Sequence, residues 1–131
     1  MVNRASDWLA EAEFELDTAG DLVSLGRHAP ACFMAQQAAE KGVKALHLKL
    51  IQNAWGHSIA DLLRQLSPSI KVPSERIQDA MALDLFYIPS RYPDAHASGA
   101  PFEKYGPVQA EQAVDHARAI IEFVRHEMAA P

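Results

Sequence analysis

The chain reads as an all-α protein, an antiparallel four-helix bundle with an additional short helix. Three observations predict this. Apolar residues recur at helical spacing through four long segments and one short one. Clusters of Gly, Pro and Asn separate those segments. No run shows the alternation of a half-buried strand, and there is no internal repeat.

The first helix is expected from Ser6 or Asp7, with Ser6 as N-cap and Asp7 and Glu11 near the positive helix end. Trp8, Ala12, Leu16, Ala19 and Val23 form its apolar stripe, with Glu11, Glu13, Glu15 and Asp17 mostly off it. Gly26 stops it. The second helix is expected from about Pro30 to Gln52. Ala39, Val43, Leu46 and Leu50 form one apolar stripe, and Ala31, Ala35, Ala38, Gly42 and Ala45 a stripe of small residues that admits a close neighbour. Gln36, Gln37, Glu40, Lys41 and Lys44 mark its wetter side, with Glu40 and Lys44 at pairing distance along the helix.

A short third helix should run from His57 or Ser58 to Leu66, with Ser58 and Asp61 forming its N-terminal pattern. The fourth should start near Ser74 and reach Tyr87 or Ile88, where Pro89 ends it. Its stripe is Ile77, Ala80, Met81, Leu85 and Ile88. Asp84 sits among these, and an acid on a core stripe needs a partner. The fifth starts after Gly106-Pro107 and keeps its spacing from Ala110 to Met128.

A length of 131 residues suits one domain, residues 1–131. A hydrophobic content of 49% is globular, and a formal charge of -5 gives no general affinity for phosphate backbones, although it leaves room for a local basic cleft. Cys32 is the only cysteine, so the chain forms no intrachain disulfide and no cysteine-based zinc site. With no secretory leader and no run long enough to span a membrane, the expected location is the cytoplasm. His57 and Asp61 lie four apart, but no third ligand follows at a recognisable spacing, so neither a metal nor another cofactor is expected.

The connection after the fourth helix has a different character. Tyr87-Ile-Pro-Ser-Arg-Tyr-Pro-Asp-Ala-His96 opens a stretch running to about Gly106 that carries Arg91, Asp94, His96 and Lys104 with four aromatic residues. Pro89 and Pro93 exclude a regular helix. Long connections inside domains tend to be functional, and this one has too many aromatics for a linker.

Three blocks resemble the HEPN domain family: Ala35-Gln-Gln-Ala-Ala-Glu-Lys-Gly-Val-Lys-Ala45, Gly56-His-Ser-Ile-Ala-Asp-Leu-Leu63 and Leu83-Asp-Leu-Phe-Tyr-Ile-Pro-Ser-Arg-Tyr-Pro-Asp-Ala95. They occur in the expected order over nearly the whole chain. The resemblance implies a four- or five-helix bundle, a homodimer, and partnership with a minimal nucleotidyltransferase in a toxin–antitoxin-like pair. Many members are metal-independent ribonucleases that bring an Arg and a nearby His together across the dimer; Arg91-Tyr-Pro-Asp-Ala-His96 has that spacing.

Two functional readings follow. The first is a nucleotide- or RNA-associated binding module, with Tyr87, Tyr92, Asp94, His57 and Lys41 as candidate ligand contacts. The second is a metal-independent endoribonuclease in which His96 moves a proton and Arg91 holds the phosphate. Tyr92 after the Arg and Pro93 within the motif depart from the nuclease pattern, which places binding first. A purely structural dimerisation module is the third. Asp84 is the expected structural partner of Arg91. Plainer roles stand beside these: His57 fixing a turn, Lys41 and Lys44 on a solvated face, and Tyr92, Phe102 and Tyr105 packing on the bundle.

Overall fold

The second helix is buried around most of its circumference and organises the other four. The computed structural model describes residues 3–130. Its helices are α1 (Ala5–Ser24), α2 (His28–Lys49), α3 (Ile59–Arg64), α4 (Ser74–Asp84) and α5 (Pro107–Ala129). Two 3-10 turns, Pro93–Ala95 and Pro101–Glu103, lie between α4 and α5. The described residues contain no strand.

The small-residue stripe of α2 is what permits its central place. Ala31, Ala35, Ala38 and Ala45 are fully buried. A methyl group added at Gly42 would lie 3.3 Å from Ile121 Cγ1 on α5 and 3.8 Å from the Ala12 methyl on α1. Two helices therefore close on α2 at one level. The bulky contacts gather on its other apolar stripe, where Leu46 and Val43 belong to one core with Ile59, Leu62 and Leu63 of α3, Leu83 of α4, and Ile120 and Val124 of α5. Each fully buried Leu or Ile stabilises the fold by roughly 1.5–3 kcal/mol, so this layer supplies the main driving force.

The helix ends follow local chemistry. Ser58 caps α3, its hydroxyl accepting from the Asp61 amide at 3.2 Å. Gly106 precedes Pro107 at the start of α5, and its amide donates to Gln109 Oε1 at 2.9 Å. At the start of α1 the expected Ser6 cap is not used. The Asn3 side chain accepts from the Ala5 amide instead, and the helix begins one residue earlier than Ser6.

α1 and α2 end in the same motif with different residues. Arg27 N–H reaches Leu22 O at 2.8 Å and Gly26 N–H reaches Val23 O at 3.0 Å; Gln52 N–H reaches His47 O at 2.8 Å and Ile51 N–H reaches Leu48 O at 3.0 Å. Both are Schellman closures, which place one residue in the left-handed region. Gly26 meets this at φ 75° without penalty, whereas Ile51 does so at φ 56° with a β-branched side chain.

Several expectations are corrected. α4 stops at Asp84 instead of reaching Tyr87 or Ile88, because Pro89 removes the amide that would bond to Leu85 O and its ring crowds that carbonyl. Phe86 and Tyr87 instead bond three residues back, to Leu83 O and Asp84 O. The anticipated α4 stripe also turns over. Ala80 and Leu83 are buried, while Met81, Leu85 and Ile88 face outward. On α2 the "wetter" side is partly interior, with Gln36 fully buried and Glu40 5% exposed. Glu15 on α1 is likewise buried, paired to Lys41 across the α1–α2 contact, and Trp8 lies at the surface.

Two predictions come from this packing. Ile51→Gly is expected to raise the unfolding free energy by about 0.5–1 kcal/mol in urea melts. Relief of left-handed strain of roughly 1–2 kcal/mol outweighs the added chain entropy, and the exposed side chain gives up little packing. Burial pushes the Glu15 carboxyl above its ordinary value, with Lys41 opposing and Glu11 reinforcing the shift. A raised carboxyl favours the folded state below its unfolded value and loses that contribution as pH rises through its folded value. Wild type should therefore lose thermal stability relative to Glu15→Gln between about pH 4 and neutrality.

Candidate functional site

Residues from α2, the Gly56–Ser58 turn and the segment after α4 meet on one side of the bundle. Gln36 and Glu40 lie one helical turn apart on α2 and point the same way. Both are buried, so both need partners. Gln36 Nε2 donates to Glu40 Oε1 at 3.1 Å and also lies 3.4 Å from the His57 carbonyl. The Glu40 carboxylate takes the Lys44 ammonium at 2.9 Å, and its two oxygens lie 3.3 and 3.2 Å from His57 Nδ1. Gly56, at φ 94°, makes the left-handed turn that delivers His57 to this carboxylate.

The His57 ring stacks on Tyr87, with centroids 4.7 Å apart and planes inclined by 17°. The Arg91 guanidinium lies over the same Tyr87 ring at 4.6 Å, over Phe33 of α2 at 4.5 Å and over Tyr92 at 4.9 Å. Its Nε donates to the Tyr87 carbonyl at 2.9 Å. Among the described residues no carboxylate pairs with Arg91. Planar guanidinium stacked on aromatic faces keeps its N–H edge directed away from the rings.

The expected Asp84–Arg91 pair is not formed. Asp84 ends α4 facing the start of α3, where its carboxylate accepts from Ser58 Oγ at 3.0 Å, the Ile59 amide at 2.7 Å and the Ala60 amide at 3.2 Å. The acid on the α4 stripe is thus satisfied by a helix N-terminus, which favours negative charge and offers unpaired N–H groups. Within one chain Arg91 and His96 are not joined either. His96 Nε2 bonds the Pro89 carbonyl at 2.7 Å, and its ring meets the edge of Tyr105 at 6.2 Å. Since a carbonyl only accepts, that nitrogen carries the proton and clamps the loop.

The remaining candidates divide. His57, Tyr87 and Tyr92 join the Arg91 cluster. Lys41 points away to Glu15 and lines a separate groove of about 430 Å³ with Arg4, Asp7, Trp8 and Glu11, because one residue along a helix turns the side chain about 100° from Glu40. Asp94 lies exposed in the first 3-10 turn. Tyr105 packs edge-on to Phe86 at 5.7 Å, while Phe102 is exposed. The sequence reading missed Phe33, Gln36 and Glu40. The signal for the last two was polar residues spaced four apart on a helix otherwise apolar over most of its surface.

Other titratable groups have structural settings. Burial pushes the Cys32 thiol up to about 11, and burial followed by the nearby Cys32 raises Tyr105. His47 is buried, with Nε2 2.8 Å from Leu62 O, tying α2 to α3. Among the described residues no group of three or more His, Cys, Asp or Glu is arranged to hold a metal, and no helix is long and apolar enough to cross a membrane.

The three blocks that converge here are those on which the family resemblance rested. A model of the HEPN domain matches residues 5–127. The chain belongs to the HEPN domain family. A crystal structure of a Thermus thermophilus protein is similar over 96% of this chain and 99% of its own, at 48% identity and a TM-score of 0.94. An archaeal HEPN homologue is 37% identical over 97% and 99% of the two chains, with a TM-score of 0.83. A HEPN domain protein from Thermotoga maritima is 35% identical over 92% and 95%, with a TM-score of 0.74. Comparison with curated proteins gives no match.

Asp84→Ala is expected to destabilise this HEPN chain by about 2–3 kcal/mol in thermal or urea unfolding, since three bonds to a carboxylate are lost at once. Asp84→Asn, which keeps an acceptor oxygen, should cost less.

Proposed function

We propose that this HEPN chain is a nucleotide- or RNA-binding module that works as a homodimer with a separate minimal nucleotidyltransferase, in a toxin–antitoxin-like pair. The observation that carries the binding role is the Arg91 guanidinium laid on three aromatic rings with no carboxylate partner among the described residues. A forked cation beside stackable rings suits a phosphodiester chain. The N–H edge takes phosphate oxygens, and Tyr92, 48% exposed, offers a face to a base. Lys44, which gives one N–H to Glu40, adds positive charge on the same side of α2. The chain's overall negative charge confines such binding to this patch. Family membership supports the dimer and the nucleotidyltransferase partner.

Metal-independent RNA cleavage by Arg91 and His96 is the second reading. It stands behind the first because His96 already uses Nε2 to hold Pro89 O.

Binding is tested by fluorescence anisotropy with a labelled single-stranded oligoribonucleotide. Tyr92→Ala and Arg91→Ala should each weaken affinity by about tenfold, in the range for losing one stacked base or one phosphate contact. Arg91→Ala should also flatten the dependence of log affinity on log salt by about 0.7, and Tyr92→Ala should leave that slope unchanged. Equal binding by both variants and wild type would exclude this surface.

A further inference from the structure

Both tryptophans of the chain border one hollow beside α1 and α2. Trp8 comes from the start of α1 and Trp55 from the turn between α2 and α3. Leu48 adds an apolar wall, and Lys44, Gln52 and Asn53 add polar ones. The hollow measures about 270 Å³, just under the roughly 300–1,000 Å³ of small-molecule pockets, so it admits one ring system and little more. Trp55 is 76% exposed and Trp8 37%, and neither belongs to the core. Beside them Ile51 lines an adjoining hollow with Trp8, Leu48 and Gln52. Its left-handed backbone carries strain that its exposed side chain does not offset by packing within the chain. Strain of this kind gathers at binding sites.

The polar groups indicate which ring system fits. Gln52 Oε1 is buried and meets no donor among the described residues. A ligand edge that carries an N–H answers such an acceptor. A carboxamide pairs with adenine through two bonds, accepting from N6 and donating to N7. Lys44 gives one N–H to Glu40 and keeps two more, so positive charge stands at the edge of the hollow. On the other flank of Trp8, Asp7 and Glu11 offset Arg4 and Lys41, so a polyanion is drawn toward Lys44 and Arg91. The hollow also adjoins the Arg91 surface. Only Gly56 separates Trp55 from His57, whose ring stacks on the Tyr87 ring that Arg91 covers. Two chain steps span at most about 7 Å, so the two stacking platforms are neighbours.

We propose that the hollow bordered by Trp8 and Trp55 is a base pocket for an unpaired adenine of a single-stranded RNA whose neighbouring phosphate lies on Arg91. The inference rests on the RNA-binding reading and adds base selectivity to it. The adenine stacks on the exposed indole of Trp55. The Gln52 carboxamide turns onto its N6–N7 edge and gains the donor that the fold withholds from Oε1. Lys44 faces the phosphate that leads toward Arg91.

The test uses the full chain with labelled oligoadenylate and oligouridylate. Anisotropy reads binding anywhere on the chain. Tryptophan emission reads this hollow alone, because the chain has no other tryptophan. Oligoadenylate should quench that emission along the same isotherm as the anisotropy, and bind at least about fivefold more tightly than oligouridylate. Trp55→Ala, at an exposed position, should fold and bind oligoadenylate about tenfold more weakly with an unchanged salt slope. Gln52→Met should bring the two affinities to within about twofold of each other, whereas Arg91→Ala should weaken both and keep the preference. Trp55→Ala decides the matter if Gln52→Met does not fold. Binding seen by anisotropy with no change in tryptophan emission overturns the proposal and leaves the Arg91 reading intact. Equal affinity of wild type for the two oligonucleotides, or undiminished binding by Trp55→Ala, does the same. Emission that changes on raising the protein concentration and not on adding RNA makes the hollow an interface between copies and also overturns the proposal. Failure to bind either oligonucleotide overturns both readings.

Discussion

The buried polar pair Gln36 and Glu40 is the constraint on which the functional side of this molecule depends. α2 is covered around most of its circumference, and these two side chains are left little water. An amide and a carboxylate in such a place must find partners or cost several kcal/mol. Gln36 and Glu40 partly satisfy each other, and Lys44 takes one carboxylate oxygen. What remains is directed at a single residue outside the helix, His57, through both its ring and its carbonyl. The Gly56–Ser58 turn is therefore held by the polar needs of α2 as well as by the packing of α3. This gives the helix a second task beyond forming the core.

A second anchor works in the same direction from the other side. Asp84 is the last residue of α4 and caps the first turn of α3. One carboxylate thus fixes where α4 ends and how α3 begins, and the segment after α4 leaves from a defined point. Pro89 then prevents helical continuation, and His96 closes the stretch on itself through the Pro89 carbonyl. Between these two fixed points lie Tyr87, Arg91 and Tyr92. Tyr92 is exposed and Tyr87 and Arg91 are half-buried on a segment whose backbone is restrained at both ends, so ordering them on a ligand costs less entropy than ordering a free loop would.

How much of this was legible in the sequence follows from which forces act locally. Five helices, their order and most of their boundaries come from periodicity and cap residues, which are local properties. The long connection with Arg91 and His96 stood out by composition, and the family was readable from three blocks. What could not be read was the direction in which polar residues point. Gln36 and Glu40 looked solvated because they neighbour Lys41 and Lys44 in sequence, yet helix geometry turns them inward once α3 and the turn that precedes it are placed. Asp84 needed a partner, as its place on an apolar stripe indicated. An arginine seven residues away was one chemical match; the free amides of a helix start were another, and only the fold decides between them. Met81, Leu85 and Ile88 have impeccable helical spacing, but Pro89 unwinds the turn that would have carried the last two toward the core.

The spacing from Arg91 to His96 shows the same limit at the level of chemistry. Spacing places two side chains within reach of one another but does not say which ring nitrogen is already committed. In His96 the committed nitrogen is Nε2, bound to a carbonyl, and in His57 it is Nδ1, bound to a buried carboxylate. The distinction matters because it decides which nitrogen of each ring is left to meet a ligand. His57 is far from Arg91 in sequence and shares an aromatic ring with it in space. The cluster of His57 and Arg91 therefore joins two blocks of the chain, with Glu40 on a third, and depends on the packing of α2 that brings all three together.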